Sequence, residues 1–175
     1  MRIFLVGFMG VGKTYLGRAL ADSLGFAFVD LDEMIENSIG MTVPTIFQRL
    51  GEATFRKLEA ENLRSLSNLT SAVVATGGGA PCYHDNMNWM NENGITIYLF
   101  ASPMLLAERL RLEKSTRPLL ADIPENELVS FIESKISERA NFYENCHIQF
   151  EIPAKGIDGI DFLTQYLKRF FPKNN

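Results

Sequence analysis

Residues 7–14, Gly-Phe-Met-Gly-Val-Gly-Lys-Thr, place two glycines five apart and follow them with a lysine and a hydroxyl side chain. Glycines at these points let the backbone N–H groups of Gly10, Val11 and Gly12 turn inward around phosphate oxygens with no side chain in the way. Lys13 can reach the outer phosphates and the Thr14 hydroxyl can ligate Mg2+. A helix start near Thr14 and Tyr15 adds its positive dipole end. This chemistry is nucleoside triphosphate binding, and the acceptor of the phosphate must be sought elsewhere in the chain.

Asp30 and Asp32, in Phe-Val-Asp-Leu-Asp-Glu (28–33), are two apart at the end of an apolar run, so both can point the same way. One carboxylate could steady Mg2+ through water while the other accepts a proton from an attacking hydroxyl. Asp32 would equally suit the N-cap of the helix that follows. Arg56 could present its planar fork to a carboxylate or phosphate, or simply pair at the surface with Glu59 one helical turn away. Gly77-Gly78-Gly79 permits close backbone approach to a ligand, where a tight turn alone needs one or two glycines. Cys82 with His84, and Cys146 with His147, match no familiar zinc spacing and read as unrelated polar spots.

The elements that must position these groups alternate. Short, almost continuously apolar runs at 3–6, 27–30, 72–75, 95–100 and 148–152 read as parallel strands covered on both faces. Helical patterns over 15–24, 102–111, 127–143 and 157–170 separate them. Gly25 suits the C-cap of the first, and Ser102 with Pro103 the start of the second. Residues 32–66 read as three helices broken at Gly40 and Gly51, too long for a plain crossover. Residues 112–126 carry two prolines and turn residues between confident helices. The pattern predicts an α/β protein with a parallel sheet and right-handed crossovers.

The chain has 175 residues, room for one domain and too few for two ordinary ones. Apolar residues make up 46% and the net charge is −4, so no global basic field favours nucleic acid or anionic lipid. No apolar stretch approaches the roughly 20 residues of a membrane span, and the N-terminus lacks the pattern of a signal peptide. Only two cysteines suit a reduced compartment, and a cytoplasmic location is expected.

The residues 7–14, 28–33, 51–59 (Gly-Glu-Ala-Thr-Phe-Arg-Lys-Leu-Glu), 73–80 (Val-Val-Ala-Thr-Gly-Gly-Gly-Ala), 116–120 (Thr-Arg-Pro-Leu-Leu) and 139–144 (Arg-Ala-Asn-Phe-Tyr-Glu) together resemble the shikimate kinase family. They occur in its order and at its separations over essentially the whole chain. The most specific part is Arg56-x-x-Glu59, Leu63, Val73-Val74 and the glycine triplet. The resemblance implies a P-loop three-layer sandwich with a five-stranded parallel sheet in the order 2-3-1-4-5, like nucleoside monophosphate kinases. It implies one kinase domain over 1–175, with a substrate-binding helical insert at about 32–66 and a lid at about 112–126. The implied reaction is transfer of the ATP γ-phosphate, with Mg2+, to the 3-hydroxyl of shikimate.

By the same resemblance Asp32 holds the acceptor hydroxyls and is the proposed base, and Asp30 supports Mg2+ beside Thr14. Arg56 and Arg139 bind the shikimate carboxylate, and the backbone at Gly78 and Gly79 contacts the acceptor. Phe47 and Phe55 line its pocket, and Arg117 reaches from the lid to the transferring phosphate. The helical alternative for Arg139 is an ion pair with Glu138 or Glu133. Pro81 departs from the aliphatic residue usual in the family, and either Arg109 or Arg111 stands at the adenine. A kinase for another small hydroxy acid such as gluconate shares the first motif, but the triplet and the Asp30/Asp32 pair fit shikimate better. The expected partner is the small molecule alone, with no nucleic acid or membrane, and the expected state is a monomer.

Overall fold

A computed structural model describes residues 1–112, 120, 123–153 and 159–170 of the chain. Its strands are β1 (Arg2–Val6), β2 (Ala27–Asp30), β3 (Ala72–Ala75), β4 (Ile95–Phe100) and β5 (Ile148–Glu151). They form one parallel sheet in the order β2-β3-β1-β4-β5, with Phe4 opposite Val74 on one side and Thr96 on the other. The helices are α1 (Lys13–Leu24), α2 (Leu31–Ile39), α3 (Val43–Ser65), α4 (Asn86–Asn93), α5 (Pro103–Arg111), α6 (Leu128–Tyr143) and α7 (Gly159–Phe170).

Alternation along β1 divides the core into two layers. Ile3 and Leu5 pack with Leu16 and Leu20 of α1, Leu106 of α5 and Ile132 of α6. Phe4 and Val6 face the other way, onto Leu31 and Ile35 of α2, Phe55 and Leu63 of α3 and Met90 of α4. The central strands β1, β3 and β4 are almost wholly buried, as their unbroken apolar runs require, whereas the edge strands β2 and β5 are part exposed.

The expected punctuation holds. Gly25 closes α1 with φ 70°, Gly40 closes α2 with φ 71°, and Gly51 interrupts α3 with φ 81° and ψ 163°. Ser102 Oγ accepts from the N–H of Leu105, with Pro103 in the first turn of α5. α1 starts earlier than expected, at Lys13 inside the glycine motif itself. α4 was not legible. Its sequence, Asn-Met-Asn-Trp-Met-Asn-Glu-Asn, is poor in helix formers. It forms because Met87 and Met90 fill the core and buried Asn86 donates to the carbonyl of Ala80. No helix among the described residues is long and apolar enough to cross a membrane.

Candidate functional site

The parallel sheet sends β1, β2 and β3 toward one edge, and their carboxyl ends carry the groups singled out above. After β1 the chain turns through Gly10 and Gly12, whose φ values of 78° and 100° lie where side chains are disfavoured. Gly12 is the residue before α1, and its carbonyl accepts from the N–H of Leu16. The Val11 side chain is buried, so only its backbone faces the loop, and its carbonyl accepts from Arg109. Lys13 is only 9% exposed, and its ammonium donates to the carbonyls of Gly7 at 2.8 Å and Phe8 at 3.0 Å. It therefore ties the loop together as well as carrying charge.

Thr14 donates its hydroxyl to Oδ2 of Asp30 at 2.7 Å. Oδ1 of Asp30 accepts from the N–H of Asp32 at 3.1 Å and of Glu33 at 3.4 Å. The cap of α2 is thus Asp30, and the capping alternative for Asp32 is corrected: α2 begins at Leu31, two residues earlier than that reading needs, putting Asp32 in its first turn. Lys13, Thr14, Tyr15, Asp30 and Asp32 all line a cavity of about 260 Å3 against the glycine loop. The hydroxyl of Thr14 keeps its lone pairs while donating to Asp30, and a carboxylate stands behind it, which is a fitting arrangement for a hard cation with oxygen ligands.

A second cavity, about 80 Å3, adjoins the first and shares Met9, Asp32, Gly77 and Gly78 with it. Arg56, Arg139, Glu59, Phe47 and Phe55 form much of the rest of its wall. Arg56 is 4% exposed, so its pairing with Glu59 is not the surface contact considered above. Nη1 donates to Glu59 Oε2 at 2.6 Å, while Nε and Nη2 both donate to Glu52 Oε1, at 3.1 and 2.8 Å. The rings of Phe47, Phe55 and Tyr83 lie 5.7, 5.3 and 4.7 Å from its guanidinium. Burial opposes its charge, but the two glutamates outweigh burial and hold its pKa above the ordinary arginine value. Three of its five donors are thereby engaged, leaving one N–H on Nη1 and one on Nη2.

The glycine triplet is dictated by sterics rather than by turn geometry, since none of its φ values is positive. A Cβ on Gly77 would lie 2.4 Å from Glu59 Oε1 and 3.0 Å from Asp32 Oδ1. One on Gly79 would lie 2.6 Å from Arg56 Nη2, and one on Gly78 would press on the N–H of Met9 at 3.2 Å. The carbonyl of Gly78 accepts from Tyr143 at 2.5 Å and from Arg139 at 3.3 Å. The helical alternative for Arg139 does not hold for Glu138, which pairs with Lys135 at 2.7 Å.

Glu59 is wholly buried and its Oε1 has no hydrogen-bond partner among the described residues. Burial pushes its pKa up to about 7, opposed by Arg56 and assisted by Asp32 and Glu52. Sequence reasoning passed over Glu52, Tyr83 and Tyr143 as members of this cluster. Glu52 stands four residues before Arg56 and Tyr143 four after Arg139, and those helical spacings were the available signals. Arg109 lies on the glycine loop, donating to the carbonyls of Gly10 and Val11, whereas Arg111 pairs with Glu125 at 3.2 Å. Arg117 and most of the expected lid at 112–126 lie outside the described residues. No three His, Cys, Asp or Glu side chains cluster as a metal site among the described residues.

A family model for shikimate kinase matches residues 9–156 of the chain. A shikimate kinase of Bacteroides fragilis is 45% identical over 84% of this chain and 82% of its own. Among solved structures, a shikimate kinase from Bacteroides thetaiotaomicron superposes with a TM-score of 0.87 at 41% identity, covering 97% of each chain. A shikimate kinase from Acinetobacter baumannii, solved in complex with shikimate, gives 0.86 at 33% identity over 99% of this chain and 94% of its own.

Proposed function

The chain belongs to the shikimate kinase family, and we propose that it acts as one kinase domain and a monomer, transferring the γ-phosphate of ATP to the 3-hydroxyl of shikimate. The observation that carries this reading is the meeting of two cavities at Asp32. One is walled by the glycine loop, Lys13 and Thr14, and the other by Arg56, Arg139 and the glycine triplet. A phosphoryl donor in the first and a hydroxyl acid in the second would bring the reacting oxygens together beside one carboxylate.

In this reading the backbone of Gly10, Val11 and Gly12, the α1 N-terminus at Thr14 and Tyr15, and Lys13 hold the triphosphate. Thr14 and Asp30 would hold Mg2+, which when bound neutralises charge on the phosphates. Asp32 takes the proton of the attacking hydroxyl. The remaining donors of Arg56 and the guanidinium of Arg139 seat the acceptor carboxylate against Phe47 and Phe55, and Gly78 and Gly79 bring backbone close to the ring. Arg117 is assigned to the transferring phosphate, and Arg109, already on the loop, to the nucleotide.

The test is ATP turnover with shikimate, with gluconate and with neither. Turnover that requires shikimate and yields shikimate 3-phosphate supports the reading. Preference for gluconate, or turnover indifferent to shikimate, would overturn it.

A further inference from the structure

The acceptor cavity contains more acid than seating an anion calls for. Two cations, Arg56 and Arg139, meet three carboxylates: Asp32 from α2 and Glu59 from α3, which line the cavity, and Glu52 from α3, which pairs with Arg56 from outside it. Of these, Asp32 is the base and must stay ionised, and Glu52 is partly solvated, with its side chain 46% exposed. Glu59 is different. It is wholly buried, Oε2 accepts from Arg56, and Oε1 is left without a partner among the described residues. Oε1 and Asp32 Oδ1 crowd the same point above Gly77, 2.4 and 3.0 Å from where a Cβ would sit. An ionised Glu59 would turn a bare oxygen, itself without exposed surface, toward another carboxylate, a costly way to leave a buried acceptor. A neutral Glu59 turns an O–H donor there instead and still accepts from Arg56 on Oε2.

We propose that Glu59 is a positioning residue whose proton is coupled to the acceptor: it carries a proton on Oε1 whenever the acceptor's carboxylate is seated, and takes that proton from solvent if it was ionised in the empty enzyme. This rests on the functional reading above. Protonation balances the charges of this cluster at two against two, so that the arriving anion meets no excess of acid. The groups facing Glu59 are Arg56 and Glu52 on its own helix, Asp32 on α2, Arg139 on α6 and, more distantly, Cys82 beyond the glycine triplet.

The sign follows from linkage. Burial already raises Glu59 to about 7 in the empty protein, and Asp32 and Glu52 push the same way against Arg56. An added anion raises it further, so between the two values binding takes up a proton. Well below pH 7 Glu59 is neutral in both states and no proton moves. Above it, shikimate affinity falls with rising pH, by at most about tenfold per unit for one proton.

The test is calorimetric titration of the full chain with shikimate at a pH of about 8, in buffers of low and high ionisation enthalpy, with a pH series of Kd. Uptake approaching one proton per shikimate and Kd weakening above pH 7 are expected. Glu59→Gln, whose amide offers the same donor toward Asp32 and the same acceptor to Arg56, should bind shikimate with no buffer dependence and a flat Kd. Wild-type binding without buffer dependence would overturn the proposal while leaving the functional reading intact, and so would a Gln variant that still takes up a proton. Should Glu59→Gln fail to fold, the wild-type buffer series decides alone. No shikimate binding in any buffer would remove the functional reading and this proposal with it.

Discussion

Thr14, in the first turn of α1, donates its hydroxyl to Oδ2 of Asp30 at the end of β2, joining two βα units across 2.7 Å. The other oxygen of Asp30 caps α2, so one carboxylate serves both a helix and a candidate cation site. Asp30→Asn separates the two. Asparagine caps as well as aspartate, so thermal stability should change little. It carries no charge, so the Mg2+ concentration needed for half-maximal rate should rise on the order of 10–100-fold. A magnesium titration of kcat, beside a melting curve, checks this, and an unchanged magnesium requirement would leave Asp30 as a cap only.

Asp32 can now be tested cleanly, because it is not the cap. Asp32→Asn keeps the shape and cannot take a proton, so kcat/KM should fall on the order of 10²–10⁴ while α2 remains intact. Far-UV circular dichroism and steady-state rates at saturating ATP supply the two readouts. Wild-type turnover in the Asn variant would remove Asp32 from the chemistry.

Lys13→Ala carries two effects that should appear together. Removing a positive charge from beside the phosphates should lower kcat on the order of 10²–10³. The ammonium also satisfies the carbonyls of Gly7 and Phe8 in a buried position, so losing it should destabilise the protein by about 1–3 kcal/mol. Urea unfolding measures the second effect. A variant with normal kcat would displace ATP from this loop.

How much of this was legible in the sequence depends on how local each feature is. The strand, glycine loop and helix at 2–24 were readable because their signals are contiguous, and so were the breaks at Gly40 and Gly51. The role of Asp30 was not, since either aspartate is a good cap and the choice turns on where α2 starts. The burial of Arg56 was equally hidden. Its helical spacing to Glu59 looks the same on a wet surface, and only Tyr83, brought in beyond the third strand, together with Phe47 and Phe55, closes over it. The glycine triplet was read as close backbone approach to a ligand, and its second reason was hidden: the side chains of Glu59, Asp32 and Arg56 occupy the space a Cβ would need at Gly77 and Gly79.

Tyr143 supports the same triplet from α6. Its phenol is buried, its pKa is pushed above the ordinary tyrosine value mainly by burial, and it donates to Gly78 at 2.5 Å. Tyr143→Phe keeps the ring stacked on Tyr98 and removes the donor to Gly78 together with the phenol's contact with Arg139. A stability loss of about 1 kcal/mol is expected, with a higher KM for shikimate and an unchanged KM for ATP. A selective rise in the KM for ATP would show that Gly78 serves the nucleotide instead.

The two arginines should respond differently to the same substitution. Arg139 is half-buried, held by a long bond to the Gly78 carbonyl at 3.3 Å, by the neighbouring phenol of Tyr143 and by the ring of Phe8 at 5.6 Å, so little of the fold depends on it. Arg139→Lys should leave stability near wild type. If Arg139 grips the acceptor carboxylate, losing a charge-assisted bond of about 1.5–3 kcal/mol should raise the KM for shikimate roughly 10–100-fold and leave the KM for ATP alone. Arg56 sits between Glu52 and Glu59 in a buried cluster, and lysine offers a point charge where a fork satisfied both. Arg56→Lys should therefore lower the melting temperature as well as raise the KM for shikimate, and Arg56→Ala, which strands Glu59, should destabilise by about 3–5 kcal/mol. Thermal melts and initial rates on all three variants separate clamp from scaffold. The methyl ester of shikimate completes the test with unaltered protein: both guanidinium groups would face a neutral group, and turnover should be poor. An ester used as well as the acid would remove the carboxylate clamp and, with it, the assignment of shikimate as the acceptor.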